Sequence, residues 1–384
     1  MIRFCTSCVM SSTRPDLHLD DVGVCSACRS IERKNAVDWD ARALQFDKLV
    51  AWAKSTAQER GSDYDCVVGV SGGKDSWHIV LTALEAGLRV LGVHFTPSCR
   101  SEIGERNLAG LVRLHDVIEV RRRDDVYHAI RRFALKTVGD SEWAGHRGIF
   151  TSVLREAVPR QIPLVLWGEN SQAEYAPPSE ESEANDTLGA DWIEEFGGLL
   201  GLRVQDVADA IGVAPDQLVP YTLPPPSAMG AIRSRFLGHY FYWDTLDHAA
   251  AVREDGFEWG SPPRGAIWPF ENLDDPEAVA FHDFLGLCKF GYTRAHAQLS
   301  VEIRHGYRAR ESAVAILQAT EWDQYPIPDV EERFCQSIGL SPEEVRAACE
   351  SFANPAIWEG PPFIRPAPTR FRWTLTRKEE AKIR

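Results

Sequence analysis

The sequence predicts an α/β protein built on a parallel sheet, with a four-cysteine zinc-ribbon-like unit before the sheet and a mostly helical region after it. Three observations predict this. Short apolar runs alternate with helical patterns between residues 66 and 168, one of those runs leads straight into Ser71-Gly72-Gly73-Lys74-Asp75-Ser76, and four of the nine cysteines fall in the first 28 residues as two Cys-x-x-Cys pairs. Repeated strand–helix–strand units imply a parallel sheet with helices on both faces.

The cysteine unit comes first. Each of the pairs Cys5/Cys8 and Cys25/Cys28 can place two thiolates on one side of a tight knuckle, and two knuckles complete a tetrahedron. Zinc is the expected metal; an iron–sulfur cluster or a redox pair uses the same ligands. A closed four-cysteine site has no open position for catalysis, so its expected role is to fold residues 1–35. An odd cysteine total argues against a disulfide framework.

Asp38 to Arg60 reads as a helix, with Phe46, Leu49, Val50 and Trp52 at near-helical spacing and Gly61 as its stop. Cys66–Val70, Arg89–Phe95, Val117–Val120 and Leu164–Gly168 read as strands. Ser76–Ala86, Arg106–Leu114, Tyr127–Thr137 and Ile149–Val158 read as the helices between and beside them. The pattern weakens from 172 to 230, where Asp191–Leu200 and Val204–Ile211 look like short helices. Val279–Phe290, Arg294–His305, Glu311–Gln318 and Pro342–Phe352 are the helices expected beyond it. The expected units are therefore 1–35, a nucleotide-binding domain over 36–225, and a helical substrate- or partner-binding region over 226–384.

Of the 384 residues, 44% are hydrophobic and 26% charged, an ordinary balance for a soluble globular chain. No apolar run approaches bilayer length and the N-terminus lacks a secretory apolar stretch, so a cytoplasmic location and no membrane partner are expected. A net charge of −14 argues against nucleic acid as partner. The runs Arg121–Arg123 and Arg131–Arg132 read as solvated helix and loop charges.

The loop after the first strand carries the chemistry. Two glycines let backbone N–H groups converge on an anion without a Cβ in the way. The following helix adds free N–H groups and a partial positive charge. Lys74 adds a full charge, and Ser71 and Ser76 add hydroxyls. Asp75 beside phosphates makes sense chiefly through Mg²⁺. The spacing is not that of a Walker A loop, because Gly69 stands one residue too close and Lys74 is followed by aspartate. The string instead resembles the signature of the PP-loop ATP pyrophosphatase superfamily. That resemblance implies ATP cleavage between the α and β phosphates with AMP passing to a substrate oxygen. It also implies an adenine pocket at the end of the second strand, near Val93 and Phe95, which read equally well as core residues.

Further segments resemble the N-acetyl sugar amidotransferase family in order along the chain. They are Phe4-Cys5-Thr6-Ser7-Cys8-Val9-Met10 with Thr13-Arg14-Pro15, then Trp167-Gly168-Glu169-Asn170-Ser171-Gln172-Ala173-Glu174-Tyr175. Phe236-Leu237-Gly238-His239-Tyr240-Phe241-Tyr242-Trp243-Asp244 follows, and then Lys289-Phe290-Gly291-Tyr292-Thr293-Arg294-Ala295 with Glu302-Ile303-Arg304-His305-Gly306. The sequence departs from the family pattern at His296, where a threonine is expected. The resemblance implies conversion of an acetamido group to an acetamidino group, with ammonia supplied by a separate glutaminase through a cyclase-like partner. It makes Lys74, Asp75, Glu169 and Asn170 the catalytic candidates. Gln172, Glu174, Tyr240, Trp243, Asp244, Arg294 and Arg304 become candidates for the acceptor site. Tyr240 and Trp243 read equally as core aromatics, and the two arginines equally as partners of helix carboxylates. The rival reading is a sulfur transferase of the same superfamily, with Cys99 as its sulfur carrier.

Overall fold

The computed structural model describes residues 2–171, 174, 184–319, 325–366, 373–375 and 378. In chain order the main elements are α1 (Ser26–Lys34), α2 (Trp39–Arg60), β1 (Cys66–Gly69), α3 (Lys74–Glu85), β2 (Val90–Phe95), α4 (Glu102–Val112), β3 (Asp116–Val120), α5 (Asp124–Val138), α6 (Trp143–Ala157) and β4 (Leu164–Trp167). There follow α7 (Ala190–Phe196), α8 (Val204–Ile211), the single turn α9 (Pro226–Met229), β5 (Arg233–Phe236) and α10 (Thr245–Glu254). The C-terminal helices are α11 (Pro276–Phe290), α12 (Arg294–Arg304), α13 (Arg310–Ala319), α14 (Pro328–Ile338) and α15 (Pro342–Ser351), and β6 (Ile364–Pro366) pairs antiparallel with β7 (Trp373–Leu375).

The five main strands form one parallel sheet in the order β3-β2-β1-β4-β5. Its central strands are apolar on both sides, as a sheet covered by helices requires. Alternate residues feed two cores. Cys66 and Val68, with Leu164 and Leu166, face the core shared with α2 and α3; Val67, Leu91, Val93, Phe95 and Val165 face the core shared with α5 and α6. A third core joins α11, α14 and α15.

Four strands and most helices fall where their periodicity puts them. β5 is absent from the sequence reading because Arg-Ser-Arg-Phe has one apolar residue, and parallel pairing with β4 supplies what composition does not. A boundary at residue 225 would cut this strand from the sheet it completes. Helices α1, α10 and α14 were likewise not legible, their apolar faces being narrow. The arginine runs need correction: the Arg131 side chain is 1% exposed, lying over Tyr127 and Phe334 and paired with Glu142, and Arg122 is buried over Tyr127. No helix among the described residues is long and apolar enough to cross a membrane.

Candidate active site

β1 ends at the centre of the sheet and hands the chain to the loop Ser71–Ser76. Gly72 takes φ +89, and a Cβ there would come within 2.9 Å of the Gly104 carbonyl oxygen and 3.0 Å of the Leu108 nitrogen. This position therefore excludes other residues on both conformation and space. Gly73 is the N-cap of α3, and no side chain caps that end, so the first N–H groups of the helix remain available. The Gly73 amide donates to Ser71 Oγ at 3.2 Å, and Ser76 Oγ donates to the Gly73 carbonyl at 2.8 Å, which fixes the turn. Lys74 Nζ bridges both Asp75 oxygens at 2.7 Å. Burial works against the Lys74 ammonium, and the carboxylates of Asp75, Glu271 and Glu169 outweigh it, so its pKa lies above the ordinary lysine value.

Two cavities meet at this loop, and Asp75 belongs to the wall of both. The first, about 390 Å³, is lined by Val93, Phe95, Ile149, Phe150 and Trp167, with Ser71 and Ser76 from the loop. Gly148 lets α6 come close enough to form it, since a Cβ there would lie 2.3 Å from the Phe95 ring. The second, about 470 Å³, is lined by charge: Lys74, Glu169, Glu271, Asp283, Arg294, Lys289 and Arg14. Both volumes suit small-molecule ligands.

The segment between α10 and α11 separates the cavities. Trp268, Phe270 and Leu273 anchor it in the core beside α3. Glu271 faces the charged cavity; Asp274 and Asp275 face the apolar one. Asp275 also caps α11, accepting from the Ala278 amide, and accepts from the Ser98 amide. Burial, with the neighbouring Glu142, pushes its carboxyl up to about 7.

Glu169 follows β4 and faces the charged cavity. Desolvation, reinforced by Asp75, pushes its carboxyl up to about 8, so it can hold or take a proton near neutrality. Across the same cavity His282 pairs with Asp140 at 2.9 Å; Asp140 raises the imidazole to about 9 and keeps it charged.

The remaining catalytic candidate, Asn170, and the acceptor-site candidates divide. Arg294 lines the charged cavity, but its fork already grips Asp283 at 2.6 and 2.8 Å. Asn170 is buried and donates to the Asn185 carbonyl. Glu174 is held by Lys34 at 2.6 Å, and its carbonyl accepts from Arg304. Tyr240 packs on Phe46, and Trp243 on His78 and His248. Asp244 caps α10 and binds His305 and Tyr307. None of Glu174, Tyr240, Trp243, Asp244 and Arg304 lines either cavity. Gln172 lies outside the described residues. His296, the departure from the expected threonine, accepts at Nδ1 from the Thr293 amide at 3.1 Å and so boxes the start of α12.

The four cysteines are buried, with ligand atoms all within 4.8 Å of one another. The Cys8–Cys25 and Cys5–Cys28 sulfurs are 3.7 and 4.0 Å apart. A tetrahedral zinc with bonds of about 2.3 Å has sulfur–sulfur edges of about 3.8 Å, so this donor set fits zinc. The amides of Cys8 and Cys25 donate to Cys5 Sγ, as thiolate ligands require. For Mg²⁺, the fitting donor is Asp75, whose half-exposed carboxylate opens to both cavities.

Sequence reasoning missed Glu142, Glu271, Asp274, Asp275, Asp140 and His282 as site residues. Asp275-Pro276 carried a legible helix-start signal, Asp at the cap and Pro at the first turn, but nothing in it announces a cavity wall.

Comparison with known proteins adds the following. No curated protein matches the chain. Among solved structures, NMN synthetase from Francisella tularensis is similar at 13% identity, covering 71% of this chain and 94% of that one with a TM-score of 0.26. Residues 259–365, which include the partition between the cavities and helices α11 to α15, are similar to the C-terminal domain of WbpG-like LPS biosynthesis proteins.

Proposed function

We propose that the chain is an ATP-dependent amidotransferase that adenylates an amide oxygen, the N-acetyl group of a sugar or nucleotide sugar, and replaces it with ammonia to form an amidine. One observation carries the reading. The glycine-rich turn stands between an apolar cavity suited to a nucleoside and a charged cavity suited to a polar acceptor, with Asp75 on both walls. The likeness of residues 259–365 to a domain of LPS biosynthesis proteins supports a sugar as acceptor.

In this reading Val93 and Phe95 bound the nucleoside, and the loop amides with Lys74 hold its phosphates. The amide oxygen attacks the α phosphorus and pyrophosphate leaves. Ammonia then adds to the activated carbon, the bond to AMP breaks, and a proton passes to Glu169 in its ionised form, the carboxyl being pushed up to about 8 so that both forms are available near neutrality. Asp75 would hold Mg²⁺, which neutralises phosphate charge, and the four cysteines would hold zinc as a structural ion. Ammonia from a glutaminase, through a cyclase-like partner, is part of the proposal, as is a cytoplasmic location.

The test is incubation with ATP, N-acetylated sugars and ammonium salt. AMP together with an acceptor in which NH replaces O is the expected result, and ADP as the sole nucleotide product would overturn the reading. The sulfur-transferase alternative, tested with sulfide in place of ammonium, has less support. Burial and Glu277 push the Cys99 thiol up to about 12, and Cys99 lines neither cavity.

A further inference from the structure

The turn that follows β4 is held from outside the sheet. Glu169 stands at its start, directly after Gly168, whose carbonyl accepts from the Gly238 amide at 3.1 Å. One turn of helix then joins the Asn170 carbonyl to the Glu174 amide, again at 3.1 Å. Whatever fixes Glu174 therefore limits the backbone that carries Glu169.

Lys34 supplies much of that restraint. It is the last residue of α1, a helix capped by Cys25 and containing Cys28, so it hangs on two of the four cysteines. Its ammonium has three N–H donors. They meet the two Glu174 carboxylate oxygens at 2.6 and 2.8 Å and the Trp243 carbonyl at 2.8 Å. Both side chains are largely withdrawn from water, at 11% and 14% exposed. The Tyr242 ring, its centre 4.7 Å from the ammonium, and the Trp39 indole, which donates to the Lys34 carbonyl at 3.2 Å, steady the lysine itself. From α12, Arg304 donates to the Glu174 carbonyl at 3.2 Å. An ion pair of this kind on the surface contributes little, but here the loss of one partner leaves a buried charge unmet.

We propose that Lys34 is a positioning residue: by tying Glu174 to α1, the four-cysteine unit holds the turn that presents Glu169 to the charged cavity. This rests on reading Glu169 as the proton acceptor of the proposed reaction. Lys34 lines neither cavity, so it reaches the site through Glu174. The charged groups that act on Glu169 are Asp75 and Lys74 of α3, Glu174 and Lys34, and Glu271 and Arg294 stand in the wall of the same cavity.

Steady-state kinetics of AMP release by the full zinc-loaded chain test this with Lys34→Met, Lys34→Arg and the double variant Lys34→Met/Glu174→Gln. Lys34→Met should lower kcat roughly tenfold to a hundredfold, the scale of a misplaced catalytic group, with KM for ATP and acceptor within about twofold. It leaves the Glu174 carboxylate buried and unpaired, so melting temperature falls too. The double variant removes both charges and should regain melting temperature while kcat stays low. Lys34→Arg, whose fork also fits a carboxylate, should keep most of kcat. Wild-type kcat in Lys34→Met overturns the proposal, as does a kcat that returns with stability in the double variant. Hydrogen exchange reads the tie without the reaction. The Glu174 amide should exchange roughly tenfold faster in the double variant than in the wild type, and near the wild-type rate in Lys34→Arg; equal rates in all three overturn the proposal. A wild-type chain that releases no AMP strikes the amidotransferase reading, and exchange then decides the tie alone.

Discussion

The two cavities that meet at Asp75 are made from different reaches of chain. The apolar one takes most of its wall from residues 69 to 167, the strands and helices that follow one another around β1. The charged one draws on residues 14, 74, 169, 271 and 289, which come together only when the N-terminal unit and the C-terminal helices have docked on the sheet. The difference teaches that the apolar cavity, the nucleotide side in the proposed function, is a property of one supersecondary unit, whereas the charged cavity, its proposed acceptor side, is a property of the whole assembly. Substitutions should respect that division.

The largest effect is expected at Lys74, which faces the charged cavity from the phosphate loop. Lys74→Met should lower kcat by roughly a hundredfold to a thousandfold, the cost of one group that stabilises developing charge. Because Lys74 stands in the charged cavity's wall, acceptor affinity from calorimetry should fall with kcat; loss of ATP affinity alone would put the ammonium on the other side of the division. Gly72→Ala comes next. Its positive φ and the Gly104 carbonyl at 2.9 Å leave no room for a methyl, so about 1–3 kcal/mol of stability and most ATP affinity should disappear, measured by chemical denaturation and nucleotide titration.

Glu169 gives a smaller, pH-dependent effect. Its folded-state pKa of about 8 lies above the ordinary carboxyl value of 4.5, so between those limits the folded protein holds a proton that the unfolded chain has released. Stability should therefore fall as pH rises through that window, by at most about 1.4 kcal/mol per pH unit. Melting temperature against pH should be flatter for Glu169→Gln; a parallel pair of curves would place this carboxyl outside the low-dielectric wall. Smallest of all is Tyr240→Phe. Because Tyr240 packs against Phe46 in the core and lines neither cavity, kcat should stay within about twofold, as for other substitutions that keep core volume. A larger drop would extend the charged cavity to residues 240–244.

The same division explains what the sequence made legible. Strand–loop–helix periodicity and the string Ser71–Ser76 located the glycine-rich turn at the end of β1, because such a turn is encoded by adjacent residues. The cysteine pairs were legible for the same reason. The segment Tyr240–Asp244 looked equally distinctive, but its aromatic and acidic residues are occupied in packing and in capping α10. Glu271 gave no local signal, and Lys289, though it opens a segment that resembles the sugar amidotransferase pattern, was not read as a site residue, since each becomes part of a wall only through contacts far away in sequence. Arg294 was noticed, but whether its fork faces a ligand or Asp283 depends on the partner helix, which no single segment specifies.

The seat of the four-cysteine unit has a consequence for how the protein is made. Residues 5 to 28 leave the ribosome long before the side chains they rest on, Tyr292, Leu299, Ile303 and Arg310. Until those helices exist, the four-cysteine unit has no surface to dock on. The charged cavity, which takes Arg14 from that unit and Lys289 from α11, is complete only once the two have met, whereas the wall of the apolar cavity lies mostly between residues 69 and 167.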